Sequence, residues 1–278
     1  MLEIPKPSPM NTDFELIDEP LDFNPLPHLQ NATDEIRNYT TVFVFEDGRI
    51  GSGVFVNTCG LNGILTAHHV AKHLFKLERF GLCLCDSVHS PWVAPMQMEH
   101  VVIGENANER AEGPDLSFLV FRDVNLLGTV QSKKSFYFLD SKDTRVCENM
   151  KRIRWAASGS PIERMQKTTT TDGELRGLEE FAGQVVFKSY SQRDGFDYVQ
   201  VEVPIGDGWP NDCHGMSGGG LWLLPLECGP DESSKVRHAQ PFLAGISFYQ
   251  TERQLTGHGF NSIHNRLRQT LQARQASL

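Results

Sequence analysis

Cys213-His214-Gly215-Met216-Ser217-Gly218-Gly219-Gly220 runs directly into Leu221-Trp222-Leu223-Leu224, a serine among glycines at the threshold of an apolar strand. Small neighbours let another backbone approach such a serine, and they leave the loop free to turn several N–H groups toward one point. That suits a nucleophile set beside a hole for an oxyanion, although a plain tight turn before a strand also carries glycines. The apolar run belongs to a series of short strand-like segments. They are residues 41–45 (TVFVF), 50–56 (IGSGVFV), 63–66 (GILT), 116–121 (LSFLVF), 184–187 (QVVF), 198–203 (YVQVEV), 219–224 (GGLWLL) and 242–248 (FLAGISF). Gly, Pro, Asn and Asp turn signals separate them, which predicts an all-β sandwich or barrel.

Two further segments fit the chemistry of an activated serine. In Ile64-Leu65-Thr66-Ala67-His68-His69-Val70 a short apolar strand runs into histidine at the start of a helical turn. A serine hydroxyl is a poor nucleophile until a held imidazole takes its proton, and His68 and His69 both stand where such a base is needed. In Gly113-Pro114-Asp115-Leu116-Ser117-Phe118-Leu119-Val120 a turn sets one carboxylate at the mouth of an apolar strand. A buried acid there can hold the imidazole in one tautomer and stabilise its cation.

The order His, Asp, Ser, with T-A-x-H-V, D-L-x-x-L and G-x-S-G-G, resembles the trypsin-like (chymotrypsin-fold) serine peptidases over roughly residues 39 to 275. The resemblance implies two six-stranded antiparallel β-barrels, about 37–130 and 131–260 within a domain at 37–278, with a triad in the cleft between them. By motif position Ser217 is the nucleophile, His69 the general base and then acid, and Asp115 the orienting acid. His68 becomes an ordinary strand-end residue. The backbone N–H groups of Gly215 and Ser217 form the implied oxyanion hole.

Departures from the family pattern matter too. Val70 stands where secreted members carry a cysteine after the catalytic histidine, which implies an intracellular, bacterial-type member and a cytoplasmic setting. Met216 stands where many members carry the aspartate that receives a newly cut amino terminus, and a thioether makes no such ion pair. Control by a regulatory protein partner, an inhibitor or a loop is the expectation instead. For substrate binding the resemblance points to Asn211 at the pocket base with Asp212 and His214 beside it. It also points to Ser247 and Phe248 as an edge for the substrate backbone. Gln250 occupies a position usually held by glycine, and Gly257 and Gly259 would lie along the far wall. Asp212 either faces inward and selects Arg or Lys, or is a solvated loop acid. Specificity therefore stays open between a basic residue and a small or polar one.

Helical periodicity is confined to a short stretch after Ala67 and to the carboxyl end, about 262–275, with Ser262 as N-cap and Ile263, Leu267 and Leu271 on one face. Residues 1–36 carry eight acids, one base and prolines at 5, 7, 9, 20, 25 and 27, which predicts an extended arm or linker, either a solvated tail or an arm that packs along the domain or docks a partner. Residues 167–173 (KTTTTDG) read as an exposed loop.

The net charge of -9 over 278 residues disfavours nucleic acid as a partner, and no apolar run approaches the roughly 20 residues of a membrane span. Six cysteines with no C-x-x-C pair read as mostly reduced thiols. His69 and His73 lie four apart but lack the glutamate of H-E-x-x-H, and Cys83-Leu84-Cys85 with His89 is off the usual spacing, so no metal or cofactor is expected. The expected function is a serine endopeptidase that acts through an acyl-enzyme on a protein or peptide substrate, in limited proteolysis of one or a few partner proteins. The competing expectation is a catalytically silent chain of the same fold that serves as a protein-binding module.

Overall fold

From Thr40 onward β-branched and aromatic residues alternate with turn signals, and three antiparallel strands result: β1 (Thr40–Val44), β2 (Ile50–Thr58) and β3 (Leu61–Thr66). The computed structural model describes residues 26–46, 48–84, 91–106, 112–140, 153–164, 166–170, 173–177, 180–204, 206, 208–227, 237–238, 240–251 and 253–276. Helix α2 (His68–Leu74) follows β3 at once. The sheet is extended by β4 (Phe80–Cys83), β5 (Trp92–Val93), β6 (Met98–Glu105), β7 (Asp115–Phe121) and β8 (Tyr137–Phe138). Its order is β5-β4-β1-β2-β3-β7-β6, with β8 on β2. Among the described residues no ladder joins the outer strands β5 and β6, so this half is a half-barrel sheet, within the all-β, barrel-type architecture that the sequence implies.

The second sheet does close. Strands β9 (Ile153–Gly159), β12 (Phe181–Arg193), β13 (Phe196–Glu202), β17 (Gln254–His258), β16 (Phe242–Gln250) and β14 (Gly220–Glu227) pair in turn, and a β14–β9 ladder completes a six-stranded barrel. A short β15 (Arg237–His238) pairs with β14. The barrel interior is filled by Trp155, Val199, Val201, Met216, Leu221, Leu223, Phe242 and Leu255 among others.

Between the two sheets lies a shared core of Val54, Leu65, Phe118, Trp222, Leu243 and Ile246. Two helices seal it, α1 (Leu26–Tyr39) through Leu29, Ala32 and Ile36, and α4 (Leu267–Ala276) through Leu267 and Leu271. A further helix, α3 (Val124–Gln131), is capped by the Asp123 carboxylate, which accepts from the amides of Asn125 and Leu126. No helix among the described residues is long and apolar enough to cross a membrane.

Three sequence expectations need correction. Residues 26–36, expected in the extended arm, belong to α1. Pro27 falls in the first turn, where its missing N–H removes no helical bond, and the apolar residues at 29, 32 and 36 then form one buried stripe. The rest of the expected arm, 1–25, lies outside the described residues. The stretch expected as a loop forms a hairpin of β10 (Gln166–Thr170) and β11 (Gly173–Gly177), in which Thr170 pairs with Gly173. Its threonines are β-branched, and β-branched residues favour extended backbone. Ser262 is no N-cap, because it lies inside a π-helical turn, Asn261–Arg266, that leads into α4. Asp197 does the capping from β13: its carboxylate accepts the amides of Asn261 (2.8 Å) and Ser262 (2.7 Å) and the Ser262 hydroxyl (2.5 Å). The thiols of Cys59 and Cys213 are free, and Cys85, Cys147, Cys228 and His89 lie outside the described residues.

Candidate active site

Strands β3 and β7 run antiparallel with Thr66 opposite Ser117, so Asp115 stands just past the end of their ladder, beside the start of α2. There its carboxylate meets His69 twice. Oδ1 accepts the His69 amide at 2.8 Å, and Oδ2 accepts from His69 Nδ1 at 2.6 Å. A carboxylate only accepts, so Nδ1 carries the proton and Nε2 is left as the basic nitrogen. Asp115 is 5 % exposed. Burial pushes its carboxyl upward, but the His69 side-chain and amide hydrogen bonds outweigh that and hold it below the usual carboxylate range. His68 turns the other way. Its Nδ1 contacts the buried Ser117 hydroxyl at 2.9 Å and its Nε2 lies 3.2 Å from Glu105, so His69 alone addresses the acid.

The serine loop is held from the first sheet by a residue that sequence reasoning missed, Ser52 on β2. Its amide donates to Ser217 O (2.9 Å), its hydroxyl donates to Gly215 O (2.7 Å), and that hydroxyl also accepts the Ser160 amide (2.9 Å). Nothing in the local sequence of β2 marks it out, since its partners lie far along the chain. Gly215 has φ +98, and a Cβ there would lie 2.4 Å from Ser160 O. Gly218 has φ +90, and a Cβ there would meet Ser52 O at 2.0 Å. Both positions therefore demand glycine. Met216 N donates to Cys213 O (3.1 Å), whereas the amides of Gly215 and Ser217 on either side have no partner among the described residues.

His69, Asp115, Ser217, Gly215, His214, Phe248 and Gln250 line one open cleft of ≈ 720 Å³, together with Tyr249, which sequence reasoning also missed. No hydrogen bond joins Ser217 to His69 among the described residues. A second cavity of ≈ 570 Å³ lies beside the cleft and contains Asn211, Asp212, Trp209 and Arg253 in its walls. His214 and Gln250 line both spaces. With its amide turned to satisfy its neighbours, Gln250 accepts from the His214 amide (2.9 Å) and donates to Cys213 O, and so bridges the serine loop and the end of β16.

Asn211, Asp212, Ser247, Gly257 and Gly259, also expected to bind substrate, do not line the cleft. Asn211 and Asp212 line the second cavity and are exposed. Asn211 Nδ2 and the Asp212 amide donate to Glu163, at 2.9 and 3.1 Å. The Asp212 carboxylate accepts from the amide and ring of its neighbour His214. Burial pushes it up, yet those two bonds leave it below the usual range. Ser247 offers no free edge: its amide donates to Gly219 O (2.9 Å) and its carbonyl accepts the Gly218 amide (2.7 Å). The Phe248 ring is buried beneath the cleft against Tyr198 and His258. Gly257 packs on Leu221, and Gly259 packs on the Asp197 carboxylate. Neither lines the cleft, because the barrel wall turns them toward the interior.

No family model and no curated protein matches the chain. Its backbone is similar to a serine protease of a human pathogenic astrovirus (11% identity over 82% of this chain and 93% of that one, TM-score 0.39). It is also similar to a thermostable serine protease from an extremophilic microorganism (14%, 83% and 94%, TM-score 0.45). A third similar structure is the HtrA-type protease AlgW, solved with a tripeptide (14%, 87% and 62%, TM-score 0.45).

Proposed function

We propose that this chain is a serine endopeptidase that cleaves peptide bonds through an acyl-enzyme, with Ser217 as nucleophile, His69 as general base and then acid, and Asp115 as the orienting acid. The observation that carries the reading is the 2.6 Å bond from His69 Nδ1 to the buried Asp115, in the same cleft as Ser217. Ser217 Oγ attacks the scissile carbonyl carbon as His69 Nε2 takes its proton. Negative charge then develops on the carbonyl oxygen, for which the unpartnered amides of Gly215 and Ser217 supply preorganised donors. The imidazolium, stabilised by ionised Asp115, returns the proton to the leaving amine, and the acyl ester on Ser217 remains. Water activated by the same nitrogen releases the acid.

The residue before the cut is small or polar in this reading. Asp212 is engaged by His214 and lines the second cavity, not the cleft, so it offers no bare carboxylate to a substrate cation there. A narrowed site and a cytoplasmic setting suit limited proteolysis of one or a few partner proteins. The test is hydrolysis of a mixed peptide library, read by mass spectrometry, by wild type, Ser217→Ala and Asp115→Asn. Wild type cleaves after small residues, Asp115→Asn loses roughly 10⁴-fold by favouring the wrong tautomer, and Ser217→Ala is silent. Undiminished cleavage by Ser217→Ala would refute the assignment.

A further inference from the structure

His258 ends β17 in the closed barrel and exposes no surface. Its Nε2 accepts the backbone amide of Asp115 at 2.9 Å, a bond that crosses from the second barrel to the first sheet. The amide only donates, so the proton of this neutral ring sits on Nδ1, and Nδ1 is buried with no hydrogen-bond partner. Rings of Phe196, Tyr198 and Phe248 surround it, with centroids at 5.5, 5.3 and 4.8 Å. An apolar side chain would fill this space without burying an unpaired Nδ1–H, so packing does not account for an imidazole here. Its one bond does. Among the described residues Asp115 is the one carboxylate that acts on it, and burial keeps the ring neutral by lowering its pKa to about 3.

We infer that His258 is a positioning residue for the triad: it pins the main chain of Asp115 to the barrel that carries Ser217. Asp115 begins β7 of the first sheet and His69 lies in α2, which follows β3 of the same sheet, whereas Ser217 precedes β14, which pairs with β16 and through it with β17. The bond from His258 therefore sets the acid and its imidazole in register with the nucleophile. This inference rests on the proposed function for its catalytic meaning, but the His69–Asp115 contact that it controls is measurable without turnover.

The test uses the full chain with ¹³C-labelled histidine. The protonation midpoint of His69 is read by NMR, beside the labelling rate with a fluorophosphonate and the kcat and KM of cleavage. His258→Leu removes the acceptor. It is expected to lower the His69 midpoint by about one pH unit and to cut kcat about tenfold or more with KM unchanged. His258→Gln, whose side-chain oxygen reaches the same amide, restores both. If the leucine variant does not fold, His258→Asn serves in its place, because its shorter oxygen falls short of Asp115 while it remains polar. A folded Leu or Asn variant with the wild-type His69 midpoint overturns the inference. Wild type that neither labels nor cleaves refutes the peptidase reading instead, and the midpoint still decides the positioning role.

Discussion

Met216 shows how one residue reports on control. Its side chain has no exposed surface and packs in the closed barrel with Cys213, Leu221 and Leu223, so an apolar thioether is what the site requires. A carboxylate placed there would lose its hydration with no cation to replace it. Met216→Asp should therefore destabilise the fold by about 3 kcal/mol or more, read as a shift in the urea midpoint, and an unshifted midpoint would mean that the side chain leaves the core. Gln250 makes the opposite prediction. Its side chain lines both the cleft and the neighbouring cavity, so Gln250→Gly should join the two spaces and admit larger side chains before the cut, measured as turnover of peptides with Phe or Lys at that position. Unchanged selectivity would remove Gln250 from the specificity account.

At the scale of elements, α1 is where propensity arguments failed and why. Averaging composition over 36 residues hides a boundary at Pro27, after which no proline occurs before Pro91 and the apolar residues of the next turns recur at helical spacing. Because Ile36 is fully buried in the core between the sheets, Ile36→Ala should cost roughly 2–5 kcal/mol of stability in chemical denaturation. A loss below 0.5 kcal/mol would place α1 outside the cooperative unit. Eight strand segments and two helices were legible from pattern, but β9 was not, since Ala156 and Ala157 carry little strand preference and are small because they face bulky neighbours in the cores. Asp115, His69 and Ser217 each sit in a short motif with local meaning, and the fold brings all three to one cleft. Ser52 and His258 were invisible, because their partners at Ser217 and Asp115 are distant in sequence and only the fold joins them.

For the whole molecule, buried histidines set the response to acid. Burial lowers His100 to about 4 and both His258 and His264 to about 3, from an ordinary 6.5. As pH falls through about 6.5 the unfolded chain binds protons that the folded chain refuses, so stability falls from there toward pH 3. Between pH 7 and pH 5 the melting temperature should drop by about 10 °C. A flat profile over that range would mean that these rings are solvated or paired with acids. The two sheets meet through one core sealed by α1 and α4, and the cleft with Ser217, His69 and Asp115 lies where they face each other.

The central claim is that Ser217 is an activated nucleophile. It is tested most directly by reacting the purified chain, wild type beside Ser217→Ala, with a fluorophosphonate and weighing the intact products. One adduct on wild type and none on the variant is the predicted result. Folded wild type that takes no adduct, or an equal adduct on both proteins, would contradict it.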